Sequence, residues 1–180
     1  DGADSNIFTS IPIDASAVKN KVRWLKRPAA QRISCKTPIT IHSMKVMAKQ
    51  KSGVKFRVRV VKASNGKIIT ESEEFNLAPD KSASARAMKL HEVSVNLFLE
   101  KGSYFIFPVI TDGLLAFLPR YTKENSFKDG LIKIYKAMYT SYDRSNPTKF
   151  KFKTKEEKKN TFVNYGPFLN IKFELAPLNK

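Results

Sequence analysis

The sequence predicts an all-β fold: an antiparallel β-sandwich of about eight strands with an extended basic N-terminal arm. Three observations favour it. Apolar and polar residues alternate at several places, turn signals recur at short intervals, and no long segment has a clean 3.6-residue apolar period. A chain of 180 residues, 42% of them hydrophobic, can also bury a core as one domain.

The arm is predicted over residues 1–28, and the sandwich domain over residues 29–180. Residues 1–16 are polar and lack sustained periodicity. In residues 17–27, basic and aliphatic residues alternate, which is typical of a basic strand or of a short basic helix, and Pro28 ends the pattern. No glycine-rich or proline-rich linker divides the rest of the chain into two domains.

Local patterns define the first strands of the domain. Residues 32–47 carry aliphatic residues in loose alternation and predict one or two strands, interrupted at their proline. In residues 54–60, valine and phenylalanine alternate with basic residues, so we expect a half-buried strand with one apolar and one cationic face. The dipeptide Asn65-Gly66 then predicts a hairpin, with residues 67–77 as the return strand.

The second half of the chain continues the β pattern. Residues 78–89 are interpreted as a loop or a short helix, and residues 93–99 alternate as a strand does. A turn at Lys101-Gly102 leads into residues 104–110, a nearly continuous apolar run that is typical of a central strand. Further strands are predicted at residues 114–118, 131–135 and 168–175.

Charge is the strongest functional signal in the sequence. The chain has 33 basic residues against 16 acidic ones, a formal net charge of +17, and no acid occurs between Asp14 and Glu71. Such a charge repels itself unless something negative neutralises it. Nucleic acid is the commonest partner of this kind, and an anionic membrane surface comes next.

Two basic triplets have the period-two spacing of a strand: Lys55, Arg57 and Arg59, and Lys149, Lys151 and Lys153. Side chains spaced in this way point to the same side of a strand, about 7 Å apart, so an extended phosphate backbone could follow them. If both strands belonged to one sheet, their outer faces would form a continuous cationic surface. The alternative is a solvated edge strand, where lysine also discourages aggregation.

The predicted polyanion-binding residues combine the arm with these two strand faces. They are Lys19, Lys21, Arg23, Lys26, Arg27, Lys55, Arg57, Arg59, Lys149, Lys151 and Lys153. Two aromatic residues beside the basic segments, Trp24 and Phe150, are candidates for stacking on bases, with packing in the core as the alternative.

The sequence contains no recognisable catalytic constellation. Cys35 has His42 and His91 as histidine partners, but its surroundings match no nucleophile motif, and we expect a buried, inert thiol. One cysteine and two histidines without tight spacing do not predict a zinc site, and no phosphate-binding glycine loop occurs. We therefore predict a protein that is not an enzyme and uses no cofactor or metal.

Residues 93–108, with the sequence VSVNLFLEKGSYFIFP, combine an apolar strand with a turn ending in Gly102, then Tyr104 and a hydrophobic strand closed by Pro108. This pattern resembles the paired strands of the calpain-type β-sandwich. Residues 130–135, GLIKIY, are similar to a later strand of that family, in which a basic residue sits between aliphatic residues and an aromatic follows.

The calpain-type resemblance covers roughly residues 54–135, about half of the chain. It implies an eight-stranded antiparallel sandwich that serves as an interaction module. The papain-like catalytic part is absent, so the resemblance implies no protease activity. The acidic loop that the family uses for calcium and phospholipid is absent as well, so it implies no calcium binding.

Together these features predict a non-enzymatic structural or interaction subunit of a large ribonucleoprotein complex. Its partners would be RNA or acidic protein subunits. The single cysteine fits a reducing intracellular compartment, and we expect the mitochondrial matrix or a similar organelle. Two alternatives stay open: a module that contacts anionic lipid through the same cations, and a viral coat-type sandwich with a genome-binding arm. No apolar run is long enough to span a membrane.

Overall fold

Alternating apolar residues form strands throughout the part of the chain that the computed structural model describes. That part comprises residues 7–9, 23–24, 29–119, 125–127, 130–134, 138–139, 141–142, 150–151, 165–166 and 168–175. Within it there are seventeen strands and no helix, which confirms the all-β prediction. The number exceeds the predicted eight because many of these strands have only two or three residues.

The strands are named in chain order. They are β1 (Ile7–Thr9), β2 (Arg23–Trp24), β3 (Ala29–Cys35), β4 (Ile39–Lys49), β5 (Val54–Lys62), β6 (Ile68–Glu71), β7 (Phe75–Leu77), β8 (Met88–Leu99), β9 (Gly102–Gly113), β10 (Leu115–Pro119), β11 (Asn125–Phe127), β12 (Ile132–Ile134), β13 (Met138–Tyr139), β14 (Ser141–Tyr142), β15 (Phe150–Lys151), β16 (Tyr165–Gly166) and β17 (Leu169–Leu175).

These strands form two large sheets and one pair. The first sheet has the order β1-β17-β4-β10-β16, with β8 also paired to β4 and β2 to β10. The second sheet has the order β11-β12-β3-β9-β5-β6, with β13 also paired to β3 and β7 to β5, while β14 pairs with β15. Every pairing among the described strands is antiparallel, as predicted.

One buried cluster contains side chains of both large sheets. The first sheet contributes Ile41 of β4 and Leu97 of β8, and the second contributes Phe56 of β5 and Ile106 of β9, among others. Alternate residues of a strand face the same side, so each sheet turns one apolar face towards this shared core. Burial of these faces is the main favourable term in the folding of such a domain.

The centre of the second sheet is buried on both faces. Tyr104 and Ile106 of β9 belong to the shared core, whereas Phe105, Phe107 and Val109, which alternate with them, belong to a second buried cluster. A strand with two buried faces needs apolar residues at every position rather than at every second one. The predicted central strand is thereby confirmed.

The predicted hairpin joins β5 to β6. Gly66 adopts a φ of 74°, a left-handed conformation that glycine accepts without strain, and its N–H donates to the Lys62 carbonyl at 2.8 Å. The return strand is divided at Ser72. There the serine hydroxyl, rather than a backbone carbonyl, accepts the hydrogen bond from the Val58 N–H at 2.9 Å, which interrupts the ladder.

Two short pieces of the predicted arm pair with the first sheet. Ile7 of β1 lies opposite Glu174 of β17, and Trp24 of β2 lies opposite Ala116 of β10. The remainder of residues 1–28 lies outside the described residues, so the arm stays a prediction there. Residues 78–87 form turns without a helix, which favours the loop interpretation there, whereas Met88 and Lys89 already belong to β8.

Candidate functional site

The predicted cationic face of β5 becomes more buried along the strand. Lys55, Arg57 and Arg59 alternate with buried valine and phenylalanine, as expected. Lys55 is exposed, but the side chain of Arg57 is 39% exposed and that of Arg59 only 9%. Strand periodicity places the three basic side chains on one side of β5. Whether a binding partner could reach each of them depends on the residues packed around it.

Glutamates on the return strand pair with two of these cations. Antiparallel register puts Glu71 directly opposite Arg59, whose Nε donates to Glu71 Oε1 at 2.6 Å. Arg57 lies 3.4 Å from the other Glu71 oxygen and 3.7 Å from a Glu74 carboxylate oxygen. The three-residue cationic face predicted from the sequence is therefore reduced to exposed Lys55, half-exposed Arg57 and a buried, paired Arg59.

The described parts of the two basic triplets lie in different sheets. The second triplet is described only at Lys151, in β15, which pairs with β14 and not with the sheet that contains β5. Among the described strands, β5 and β15 therefore do not meet the condition set for a continuous surface, which was that both belong to one sheet. Arg23 lies in β2, on the first sheet. The other predicted residues fall outside the described part: Lys19, Lys21, Lys26, Arg27, Lys149 and Lys153.

Strand pairing assembles a cationic group that the spacing of the sequence did not reveal. It lies at the end of the second sheet where β3 and β5 end and where β6 and β9 begin. We call it the lysine cluster; its members, all exposed, are Lys36, Lys62, Lys67 and Lys101.

The strand register and the backbone hydrogen bonds of the turns set the positions of the cluster lysines. Cys35 lies opposite Gly102, so Lys36 and Lys101 follow on adjacent strands. Across the hairpin, the Lys62 N–H donates to the Lys67 carbonyl at 2.8 Å. Because neighbouring strands lie about 4.8 Å apart, lysines remote in the sequence become neighbours at this end.

No ion pair joins the lysine cluster to an acid within the described part of the chain. Turn signals in the sequence could have located it, since Lys62 and Lys67 flank Asn65-Gly66 and Lys101 belongs to the next turn. Pairing the predicted strands across those turns brings their end residues together. Residue spacing along a single strand could not show this.

A groove of about 480 Å³ opens beside the lysine cluster. Lys62 and Lys101 line it together with Ile69, Phe98 and Tyr104. Two of these apolar side chains are well exposed, Ile69 at 42% and Phe98 at 45%. Glu100, an exposed acid, lines it as well, so the groove combines an accessible aromatic ring with two cations and one carboxylate.

Tyr104, which lines this groove, is buried and hydrogen-bonded. The Tyr104 hydroxyl donates to the Glu100 carbonyl at 2.7 Å, and the Cys35 thiol donates to the same oxygen at 3.4 Å. Burial raises the pKa of both the Cys35 thiol and the Tyr104 hydroxyl, so each remains protonated at neutral pH. The buried thiol expected at Cys35 is confirmed, and its raised pKa disfavours a nucleophilic thiolate.

His42 contacts a carboxylate on the neighbouring strand, and His91 lies on β8. The His42 ring is hydrogen-bonded to Glu174 at 2.7 Å, across β4 and β17. Among the described residues there is no group of histidine, cysteine and acidic side chains that could hold a metal ion. In the same part of the chain no helix has the length and apolar character to cross a membrane.

The described residues of the groove thus present a largely cationic surface with an aromatic ring. Neither the protein-family models nor the curated proteins compared with this sequence match it.

Proposed function

We propose that this chain is a non-enzymatic β-sandwich subunit that binds RNA or another polyanion within a large ribonucleoprotein complex. The observation that carries the proposal is its positive charge: +17 over the chain, with no acid between Asp14 and Glu71. The lysine cluster supports it, since four exposed cations meet there from separate segments. Their mutual repulsion is relieved when phosphates lie between them.

The proposal includes the calpain-type interaction fold and the mitochondrial matrix or a similar organelle. A core shared by two antiparallel sheets supports a sandwich. A single cysteine, buried in that core, supports a reducing compartment. RNA is favoured over acidic protein because an exposed aromatic ring lies beside the lysines at the groove. The ring can stack on a base while the lysines bind phosphates.

The experiment is a salt titration of binding to labelled single-stranded RNA, read by fluorescence anisotropy. With about six phosphate contacts to a single strand, affinity falls by about three-hundredfold between about 50 and about 200 mM salt. Changing all four cluster lysines to glutamine lowers the slope of log affinity against log salt by about three, because each contact to a single strand contributes about 0.7.

A matched control variant carries the same change in net charge elsewhere. Lys51, Lys81, Arg86 and Lys89 are exposed and lie outside the cluster, and their replacement by glutamine leaves most of the slope intact. Salt-insensitive binding, or equal loss in the two variants, contradicts the proposal. Binding to vesicles of anionic lipid in preference to RNA would instead support the membrane alternative.

A further inference from the structure

The groove beside the lysine cluster lies between the edges of the two large sheets. Within the described residues β8 pairs only with β4, and β6 pairs only with β5, so each strand has one unpaired edge. Phe98 belongs to β8, Ile69 belongs to β6, and both line the groove. The two sheets therefore contribute one apolar side chain each to a common opening.

A β-bulge accounts for the exposure of Ile69. Val60 lies opposite Thr70 and Val61 opposite Ile68, so Ile69 has no partner in the ladder. In a regular strand one of two consecutive side chains would face the core. Here Ile68 and Ile69 are 39% and 42% exposed. Bulges that redirect a side chain in this way are common beside functional sites.

A second bulge interrupts the facing edge. In β8 two residues, Val95 and Asn96, stand opposite the single His42, and Asn96 has a φ of 49°. An added peptide strand requires an unbroken row of backbone groups, and bulges on both edges break that row. The groove therefore favours a ligand held by side chains over one that extends a sheet.

We propose that this groove binds one nucleotide of single-stranded RNA, with the base stacked on Phe98 and the flanking phosphates on Lys62 and Lys101. Aromatic rings beside cations form the usual platform for single strands, because every base has a face that can stack. A volume of about 480 Å³ lies in the range of sites for small ligands and is ample for a nucleotide. Ile69 supplies apolar contact on the same ligand.

This inference rests on the proposed function and deepens it. The lysine cluster accounts for attraction to any polyanion, whereas Phe98 accounts for contact with the bases. The two contributions can be measured separately, because an abasic strand has the charge of an RNA of equal length but nothing to stack.

The experiment compares a labelled RNA of about eight nucleotides with an abasic strand of the same length at one salt concentration. We expect the wild-type chain to bind the base-bearing strand between about fivefold and about a hundredfold more tightly. Phe98→Ala brings this ratio close to one and leaves the affinity for the abasic strand unchanged. Phe98→Trp retains the preference, since a larger ring stacks at least as well.

Ile68→Ala is the matched control, because Ile68 is exposed like Phe98 but does not line the groove. It leaves both affinities unchanged, and thermal unfolding verifies that each variant folds. If Phe98→Ala keeps the wild-type ratio while both strands still bind with steep salt dependence, the stacking site is wrong and the proposed function stands. If neither strand binds at low salt, the proposed function itself fails.

A protein ligand gives a different result. An acidic peptide with apolar residues would then bind the wild-type chain, and Phe98→Ala would weaken the peptide while leaving the base preference of RNA binding intact. That outcome overturns the nucleotide assignment of the groove.

Discussion

Arg59 places a guanidinium beneath the surface of the second sheet, and Glu71 balances its charge. The Arg59 side chain is 9% exposed, and its Nε lies 2.6 Å from Glu71 Oε1. A buried charge without a counter-charge loses hydration and gains nothing in return. The same ion pair connects β5 to β6. A shift in the register of the hairpin would therefore separate Arg59 from its counter-charge.

Removal of Glu71 is therefore expected to destabilise the fold. Glu71→Ala leaves Arg59 buried without this counter-charge and lowers the free energy of unfolding by about 2–4 kcal/mol, less than for a fully buried pair because Glu71 is 25% exposed. Denaturant titration measures the change. Glu73→Ala, at an exposed neighbour, shifts stability by no more than about 0.5 kcal/mol. Equal effects in the two variants would argue against a stabilising role of the pair.

His91 makes stability depend on pH. Burial lowers its pKa, and the positive charge of Lys89 lowers it further. The unfolded chain then binds a proton more readily than the folded one, so stability falls as the pH drops below about 6.5 and levels off below the folded pKa. We expect His91→Gln to flatten this part of the profile in thermal unfolding between about pH 7.5 and about pH 5. A parallel decline in variant and wild type would contradict this.

At the scale of elements, turns decide how the strands meet. The β4–β5 turn passes through Gly53, which has a φ of 61° and donates its N–H to the Lys49 carbonyl at 3.1 Å. A Cβ at this position would clash with the Leu77 carbonyl oxygen of β7. Close approach of the turn to β7 therefore requires glycine, beyond the conformational demand of a positive φ.

A pair of glycine substitutions distinguishes the effect of a positive φ from the effect of close packing. Gly130 also has a positive φ, but nothing lies within 4 Å of a Cβ built there. Gly130→Ala should lower the unfolding free energy by about 1–2 kcal/mol, from backbone strain alone. Gly53→Ala should lower it by more, about 3 kcal/mol, because a backbone atom must also move. If the two variants unfold at the same denaturant concentration, the crowding at Gly53 is not significant.

At the scale of the whole molecule, the excess of positive charge opposes folding. The net charge of the chain is +17, and the described sheets bring together cations that are more dispersed when the chain unfolds. Ions screen charges over about 10 Å at 0.1 M salt, so added salt weakens the repulsion between exposed lysines. Salt should therefore stabilise this protein, although it would weaken the proposed RNA binding.

Thermal unfolding in a chloride salt series tests this expectation. The midpoint rises between about 50 and about 300 mM salt, because screening reduces self-repulsion. The variant with all four cluster lysines changed to glutamine starts at a higher midpoint and rises less. A midpoint that falls with salt in the wild-type chain would show that attractive ion pairs, such as Arg59–Glu71, outweigh the repulsion.

The sequence alone determined the β class, the position of most strands and the hairpin at Asn65-Gly66. Each of these depends on local patterns, because side-chain alternation and turn preference act over a few residues. The continuous apolar run of residues 104–110 likewise predicted a strand at the centre of a sheet, and β9 occupies that position.

Only the tertiary structure decided which cations are accessible. Lys55 and Arg59 look equivalent by spacing, yet Lys55 is exposed, whereas Arg59 is buried with Glu71 opposite it. Lys36 and Lys101 look unrelated, yet antiparallel register puts their neighbours Cys35 and Gly102 opposite each other and so brings both lysines to the same end of the sheet. Exposure and proximity depend on contacts between segments far apart in the chain, and a change of one residue in register would turn each side chain to the other face.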